Sequence, residues 1–395
     1  MSTATKQQKL VPELRFSGFS GGWSENKIGS IVKVERGGSP RPIQNYITSS
    51  SDGVPWIKIG DLKNGDRFVT KTAEKIKPEG VKNSREVFPG DFILSNSMSF
   101  GRPYIVNIYG CIHDGWLALR NEKQEKVINS FLYILLQSDA TKKKFLSLAA
   151  GSAVKNLKSE TVQLAKISYP NITEQQKIAD FLGSVDAWLD NLRGQKTALQ
   201  SYKQGMMQKL FTGQVRFKDE AGKSFPDWEK KELGELLSYK QPTEFIVEST
   251  EYKDEYKTPV LTAGKTFILG YTDETKGVYD YELPVIIFDD FTTATKFVDF
   301  KFKVKSSAMK ILVPLDGHNA QFLFEAIQHI QFEVGGHGRQ WISKYSRIPV
   351  STPSAEEQSK IGDFILSVDK LVAAKEKEVA KVEEWKKGLM QKMFV

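Results

Sequence analysis

The sequence predicts an α+β architecture of two globular domains and two long helices, the helices pairing antiparallel as a coiled coil about a pseudo-two-fold internal repeat. Three observations carry the prediction. Residues 170–211 and 353–394 align without a gap at a constant offset of 183, with 16 identities in 42 positions. Apolar residues within both segments recur at heptad spacing. The stretches before them mix strand-like and helical runs and align poorly with each other.

Residues 1–14 form an N-terminal segment. "MSTATKQQKLVPELRF" has no basic start followed by an apolar core, so no signal peptide is expected and a cytoplasmic location is. The single cysteine, Cys111, excludes an internal disulfide and suits a reducing compartment. The longest apolar runs, such as "VIIF" at 285–288, are too short to span a bilayer.

Residues 15–169 are expected to form the first globular domain. "GVPWIKIGDL" (53–62) and "FPGDFILS" (88–95) read as strand and turn, whereas "INSFLYILLQS" (128–138) and "TKKKFLSLAA" (141–150) read as helices. The second domain with its linker, 212–352, has "LPVIIFDDF" (283–291) as a strand and "NAQFLFEAIQHI" (319–330) as a helix. "RF" precedes Trp23 and Trp228 alike, at 15–16 and 216–217. "WSENKIGSI" (23–31) and "WEKKELGEL" (228–236) share a Trp, four polar residues, an aliphatic and a Gly.

The helices span 170–211 and 353–395. Asn171 and Ser354 follow a proline and precede Glu174 and Glu357 by three, the pattern of an N-cap with a capping-box acid. The expected seam is Ile178, Phe181, Val185, Trp188, Leu192, Leu199, Tyr202 and Met206 on the first helix, broken by Gln195. On the second it is Ile361, Phe364, Val368, Leu371, Val382, Trp385 and Leu389, interrupted by Lys375 and Glu378. A helix of that length, roughly 60 Å, cannot bury its stripe alone. Burying the two stripes on each other, with equivalent faces meeting across a pseudo-two-fold, makes the helices antiparallel.

The formal net charge is +8. Residues 15–170 hold 23 basic against 14 acidic side chains, while 216–352 hold 18 against 21. A polyanion partner suits the first domain; the second needs a local patch.

The sequence carries no catalytic constellation. "TAGKTF" (262–267) resembles the end of a phosphate loop, but Pro259 stands where the pattern needs glycine, so a hairpin is expected there. Cys111 and His113 lack a second ligand pair, and no metal is expected. Asp289 and Asp290 are neighbours that a strand sends to opposite faces. The Asn/Asp-Pro-Pro-aromatic tetrapeptide of an adenine methyltransferase does not occur.

The combination resembles the specificity subunit of type I restriction–modification systems. The resemblance rests on "GGSP" (37–40), "VPWIKIGDL" (54–62), "FPGDFILS" (88–95), "EQQKIADFL" (174–182) with "EQSKIGDFI" (357–365), and "MMQKLF" (206–211) with "LMQKMF" (389–394). It implies two target-recognition domains reading a bipartite, asymmetric double-stranded DNA site with a fixed gap. It further implies two modification (methyltransferase) subunits docked on the helices, with restriction subunits joining them. S-adenosylmethionine, ATP and Mg would then reside on those partners, with no cofactor and no enzymatic activity in this chain. The second domain lacks a clear "GGSP" or "PGDxxxS", which leaves its fold subfamily open. A coiled-coil scaffold without sequence-specific DNA binding is the alternative.

Hydrogen-bonding side chains on loops are the candidates for reading DNA. In the first domain these are Arg36, Ser39, Arg41, Lys58, Asp61, Ser95, Asn96, Ser97 and Arg102. In the second they are Thr292, Thr293, Lys296, Arg339, Gln340 and Lys344. "KFKVK" (301–305) alternates, and its lysines are expected to face phosphates. "GGHGRQW" (335–341) is either a flexible turn that brings Arg339 and Gln340 to DNA or a simple structural turn.

Overall fold

A computed structural model of the chain describes residues 10–63, 65–96, 101–149, 157–262, 264, 266–332 and 338–395. They divide into two compact units, one of residues up to Leu192 with Glu378–Val395, the other Arg193–Lys377. The long helices are Ile172–Phe211 and Ala355–Met393, and each contributes to both units. The expected boundaries at 170, 212 and 353 follow the sequence repeat. The compact units are cut inside the helices, because each domain is closed by the start of its own helix and the end of the other.

In the first unit one sheet runs in the order Lys33–Arg36, Trp116–Arg120, Phe92–Ser95, Pro103–Val106, Phe68–Val69. A second sheet contains a parallel pair, Val54–Ile57 with Gly110–Ile112. In the second unit the order is Leu237–Lys240, Met309–Pro314, Val285–Asp289, Thr295–Val298, again beside a sheet with a parallel pair, Thr258–Leu261 with Lys303–Val304. A short antiparallel pair opens and closes each domain: Ser24–Lys27 with Lys166–Tyr169, and Glu229–Glu232 with Pro349–Thr352. Four strands of the first domain's main sheet thus recur in the same order in the second, which lacks the fifth, and the companion sheet has three strands against five. Helices Asn129–Gln137 and Ala320–Gln328 supply Phe131 and Phe322 to the two cores.

The helical seam differs from expectation at every second position. Ile178, Val185, Leu192, Ile361, Val368 and Val382 are buried, as the heptad reading requires. Phe181, Leu199, Met206, Phe364 and Leu389 are half-buried. Trp188, Tyr202, Leu371 and Trp385 are 50, 51, 54 and 46 % exposed. One residue later, Leu189 is buried against Val185, Leu192 and Val382, while Leu182 and Ile365 are buried in the cores of the two domains. Choosing the bulkiest apolar residue at each turn had selected the edge of the stripe. The shifted register carries three lysines into the seam, each beside an acid of the facing helix. Lys196 reaches Glu376 at 2.7 Å and Lys203 reaches Asp369 at 2.9 Å. Lys386 reaches Asp186 at 2.5 Å. Within each unit the facing residue numbers fall on one helix as they rise on the other, so the packed segments are antiparallel.

Candidate nucleic-acid interface and helix attachment

The repeated phrase "EQ" at the start of each long helix is an attachment device. Asn171 Oδ1 accepts the Glu174 amide at 2.9 Å, as an N-cap should. The Glu174 carboxylate does not return to the cap. It is fully buried and takes Nε and Nη2 of Arg15, both at 2.7 Å. In the second unit Glu357, also fully buried, takes Arg216 at 3.1 and 2.7 Å and the Trp228 indole N–H at 3.0 Å. Planar bidentate pairs of this kind are strong and directional. The adjacent glutamines do the same work for backbone groups. Gln175 donates to the Pro170 and Lys126 carbonyls at 2.8 Å and accepts the Ile128 amide at 3.0 Å. Gln358 donates to the Pro353 carbonyl at 2.9 Å and accepts the Asn319 amide at 3.1 Å.

The other ends of the helices are fastened by aromatic trios. Phe394 lies 5.7 Å from Phe131 and 6.1 Å from Trp23 by ring centroids. Phe211 lies 5.5 Å from Phe322 and 6.2 Å from Trp228. Phe211 and Phe394 are repeat counterparts, as are Lys203 and Lys386 or Asp186 and Asp369. The identities between the two segments therefore mark the points where a helix meets a domain or its partner helix.

The candidate DNA-reading residues fall into three groups. In the first domain Arg36, Arg41, Lys58 and Arg102 carry exposed or half-exposed side chains. Lys58 is engaged with Glu74 at 2.5 Å, and the Arg102 guanidinium lies 5.7 Å from the Tyr104 ring. Ser39 and Arg41 converge on Asp114, at 2.9 and 3.5 Å. A second group is structural. Asp61 spends both carboxylate oxygens on the Lys58 and Ala73 amides. Ser95 is fully buried, and Asn96, 8 % exposed, donates to the Asp114 carbonyl at 2.7 Å. Ser97 lies outside the described residues.

The second domain divides in the same way. Thr292, Arg339 and Lys344 are exposed, and Lys296 is half-buried with its ammonium 5.9 Å from the Phe267 ring. Thr293 sits at φ 59°, an uncommon conformation for a β-branched residue, in the turn joining Val285–Asp289 to Thr295–Val298. Gln340 is 2 % exposed; its backbone N–H donates to both the carbonyl and Oδ1 of Asp290, and its side-chain Nε2 donates to the Gly338 carbonyl. These bonds fasten the loop, and the burial differs from the exposure expected of a base-reading side chain. Of "KFKVK", Lys303 is buried and paired with Glu274 at 2.7 Å, and Lys305 donates to the Tyr252 hydroxyl at 3.1 Å. Only Lys301 is fully on the surface. "TAGKTF" joins two antiparallel strands, as a hairpin does. Part of "GGHGRQW", 335–337, lies outside the described residues.

Sequence reasoning missed the residues that hold these loops. Asp290 is buried with the ammonium of Lys310 3.6 Å away, and Lys310, also buried, donates to Gln241 at 2.9 Å. Burial pulls the Lys310 ammonium below its ordinary value, with Asp290 opposing. In the first domain the missed residue is Asp114. No local pattern announces either one, because each acts on segments distant in sequence. The arginine partners of Glu174 and Glu357 did leave a signal, the "RF" echo. Among the described residues no group of His, Cys, Asp and Glu is arranged to hold a metal ion. Burial pushes the Cys111 thiol up to about 11 and lowers the His113 imidazole.

The comparisons with known proteins agree with this geometry. The family model described as the type I restriction modification DNA specificity domain matches residues 20–201 and 226–384, once per repeat. A specificity subunit of an Escherichia coli type I restriction enzyme is 47% identical over 150 residues, 36% of this chain and 37% of that protein. A protein assigned as such a subunit in Methanocaldococcus jannaschii is 26% identical over 93% of this chain and 92% of its own length. The crystal structure of the S subunit from M. genitalium shares the fold, with a TM-score of 0.65 over 97% of this chain and 99% of that one, at 18% identity. Specificity subunits are not themselves catalytic. The duplicated domain, the paired attachments and the double family match together place this chain among the specificity subunits of type I restriction–modification systems.

Proposed function

We propose that the chain reads a bipartite, asymmetric site on double-stranded DNA, one recognition domain to each half-site, while its long helices set the gap. The observation that carries this reading is the contrast between scaffold and loops. Both domains share a four-strand sheet order and a mode of attachment, whereas the residue after the inner strand is Asn96, bonded to the Asp114 carbonyl, in one and Asp290, beside Lys310, in the other. Two copies of one scaffold with unlike loops suit two unlike half-sites.

The helices would dock two methyltransferase subunits, with restriction subunits joining them. Repeat-equivalent apolar patches support this. Trp188 and Phe181 flank Trp385 with ring centroids 6.4 and 6.2 Å away in the first unit. Their counterparts in the second unit are Leu371, Phe364 and Tyr202, the last two 6.1 Å apart. Exposed aromatic clusters of this kind mark protein interfaces. S-adenosylmethionine, ATP and Mg would be bound by the partners, in the cytoplasm. No helix among the described residues is long and apolar enough to cross a membrane.

The test is a methylome. The chain and its modification partner are co-expressed in a methylation-free host, and N6-methyladenine is mapped by long-read sequencing. One bipartite motif with a fixed gap is expected. No methylation from an assembled complex, whose partner is active with another specificity subunit, would favour a scaffold without sequence-specific DNA binding.

A further inference from the structure

We infer that Arg41 reads a guanine in the half-site of the first domain and that Asp114 is the residue that aims it. The inference rests on the DNA-reading function proposed above and names the base class and the positioning group. Asp114 stands on a loop held from several sides. Its carbonyl accepts Asn96 Nδ2 at 2.7 Å, and the next carbonyl, of Gly115, accepts the Asn96 amide at 3.0 Å. The Gly-Gly-Ser-Pro turn is pressed onto the same loop. A Cβ on Gly37 would sit 2.0 Å from the His113 carbonyl oxygen, and one on Gly38 would sit 2.8 Å from that of Asn83. The Gly37 amide donates to Trp116 O at 2.9 Å, and Ser84 Oγ donates to Gly38 O at 2.8 Å.

On this base the Asp114 carboxylate has two assigned oxygens. Oδ1 accepts the Ser39 hydroxyl at 2.9 Å, and Oδ2 faces Arg41 Nη2 at 3.5 Å. The Arg41 side chain is 81% exposed and that of Asp114 is 41% exposed. A pair so open to water adds little to stability. Its effect is directional: one edge of the guanidinium faces the carboxylate and leaves the other N–H donors toward solvent. A planar fork of donors matches guanine O6 and N7 in the major groove. A phosphate would also accept it, but a phosphate contact needs no buttress of fixed orientation.

Methylomes of the full chain with its methyltransferase distinguish the two. The half-site of the first domain is the one that changes when residues 15–169 are exchanged. In that half-site, Arg41→Ala is expected to relax one G·C pair, raising methylation at substituted sites about tenfold to a hundredfold relative to wild type. Asp114→Ala should relax the same pair less strongly, and Arg41→Lys should not restore the preference. Asp114→Asn retains an acceptor for Ser39 while removing the charge that faces Arg41, so it provides the same readout if the alanine variant folds poorly. Three results would overturn the assignment: a uniform fall in methylation with every base preference intact, relaxation at different positions in the two variants, or a half-site without a G·C pair. A wild-type chain that yields no bipartite motif sinks the underlying function, and this assignment with it.

Discussion

The two attachment points solve one problem with different completeness. In the first unit the buried Glu174 carboxylate meets Arg15 alone, and the Trp23 indole N–H finds no acceptor among the described residues. In the second, Trp228 occupies the place of Trp23 and its indole N–H completes the shell of Glu357. A similar difference recurs along the helices. Lys386 faces the single acid Asp186, whereas Lys203 joins Asp369 to Glu325 of the neighbouring helix in its domain, both at 2.9 Å. At these two points the second domain supplies one polar partner more than the first. The lesson is that the repeat preserves the anchoring residues and leaves their immediate partners free to vary.

Four predictions break or sharpen that contrast. The largest effect is expected from Glu357→Ala, which leaves the Trp228 N–H without an acceptor and the Arg216 guanidinium with only the Pro226 carbonyl and Asp227. Removing one member of a buried pair costs about 3–5 kcal/mol. Glu174→Ala should cost about 1 kcal/mol less, the worth of the additional hydrogen bond. Urea unfolding of the two variants measures both, and equal losses would show that the indole contributes nothing.

The seam register comes next. Leu189→Ala should destabilise by about 2–4 kcal/mol, because Leu189 is 3 % exposed against Val185, Leu192 and Val382. Trp188→Ala should cost less than about 1 kcal/mol, yet weaken capture of the methyltransferase subunit at least about tenfold. Titration of the purified partner measures the second quantity. The opposite ranking would restore the register first expected from the heptads.

A smaller difference should separate the two seam lysines. Lys203→Met leaves Glu325, 9% exposed, with Gln321 but no cation, and Lys386→Met leaves Asp186, 15% exposed, without its cation. The first should cost about 1 kcal/mol more, since two acids lose a cation instead of one. Thermal unfolding of the two variants checks the order. The smallest effect on stability is expected from Arg41→Ala, within about 0.5 kcal/mol, because the ion pair it removes is open to water. A melting temperature far below wild type would show that Arg41 holds the loop together, contrary to its exposure.

Much of the architecture was legible. The constant offset of 183 revealed the duplication, and proline followed by Asn171 or Ser354 located both helix starts. The strands at 92–95 and 285–289 and the helices at 129–137 and 320–328 fall where alternation and helical periodicity placed them. Trp188, Tyr202, Leu371 and Trp385 are exposed at the edge of the seam, although Trp188 still meets Trp385 and Tyr202 still meets Phe364 across the two helices. A two-helix seam accepts whatever lies at 3.5-residue spacing, including Lys203, when the facing helix supplies an acid. Composition names residues able to read bases but does not say where their side chains lie. Ser95 and Gln340 have the chemistry to read bases, but both lie in the interior.

The sequence by itself determined the duplication, the helix lengths, the two mixed domains and the family, because these depend on periodicity and on motifs local to the chain. Only the tertiary structure decided that Arg15 answers Glu174 across 159 positions, that Asp114 gathers Ser39 and Arg41, and that Asp290 lies buried beside Lys310. Each of those depends on side chains brought together by strand pairing and helix packing. A carboxylate carries no mark of its own that says which distant cation will reach it.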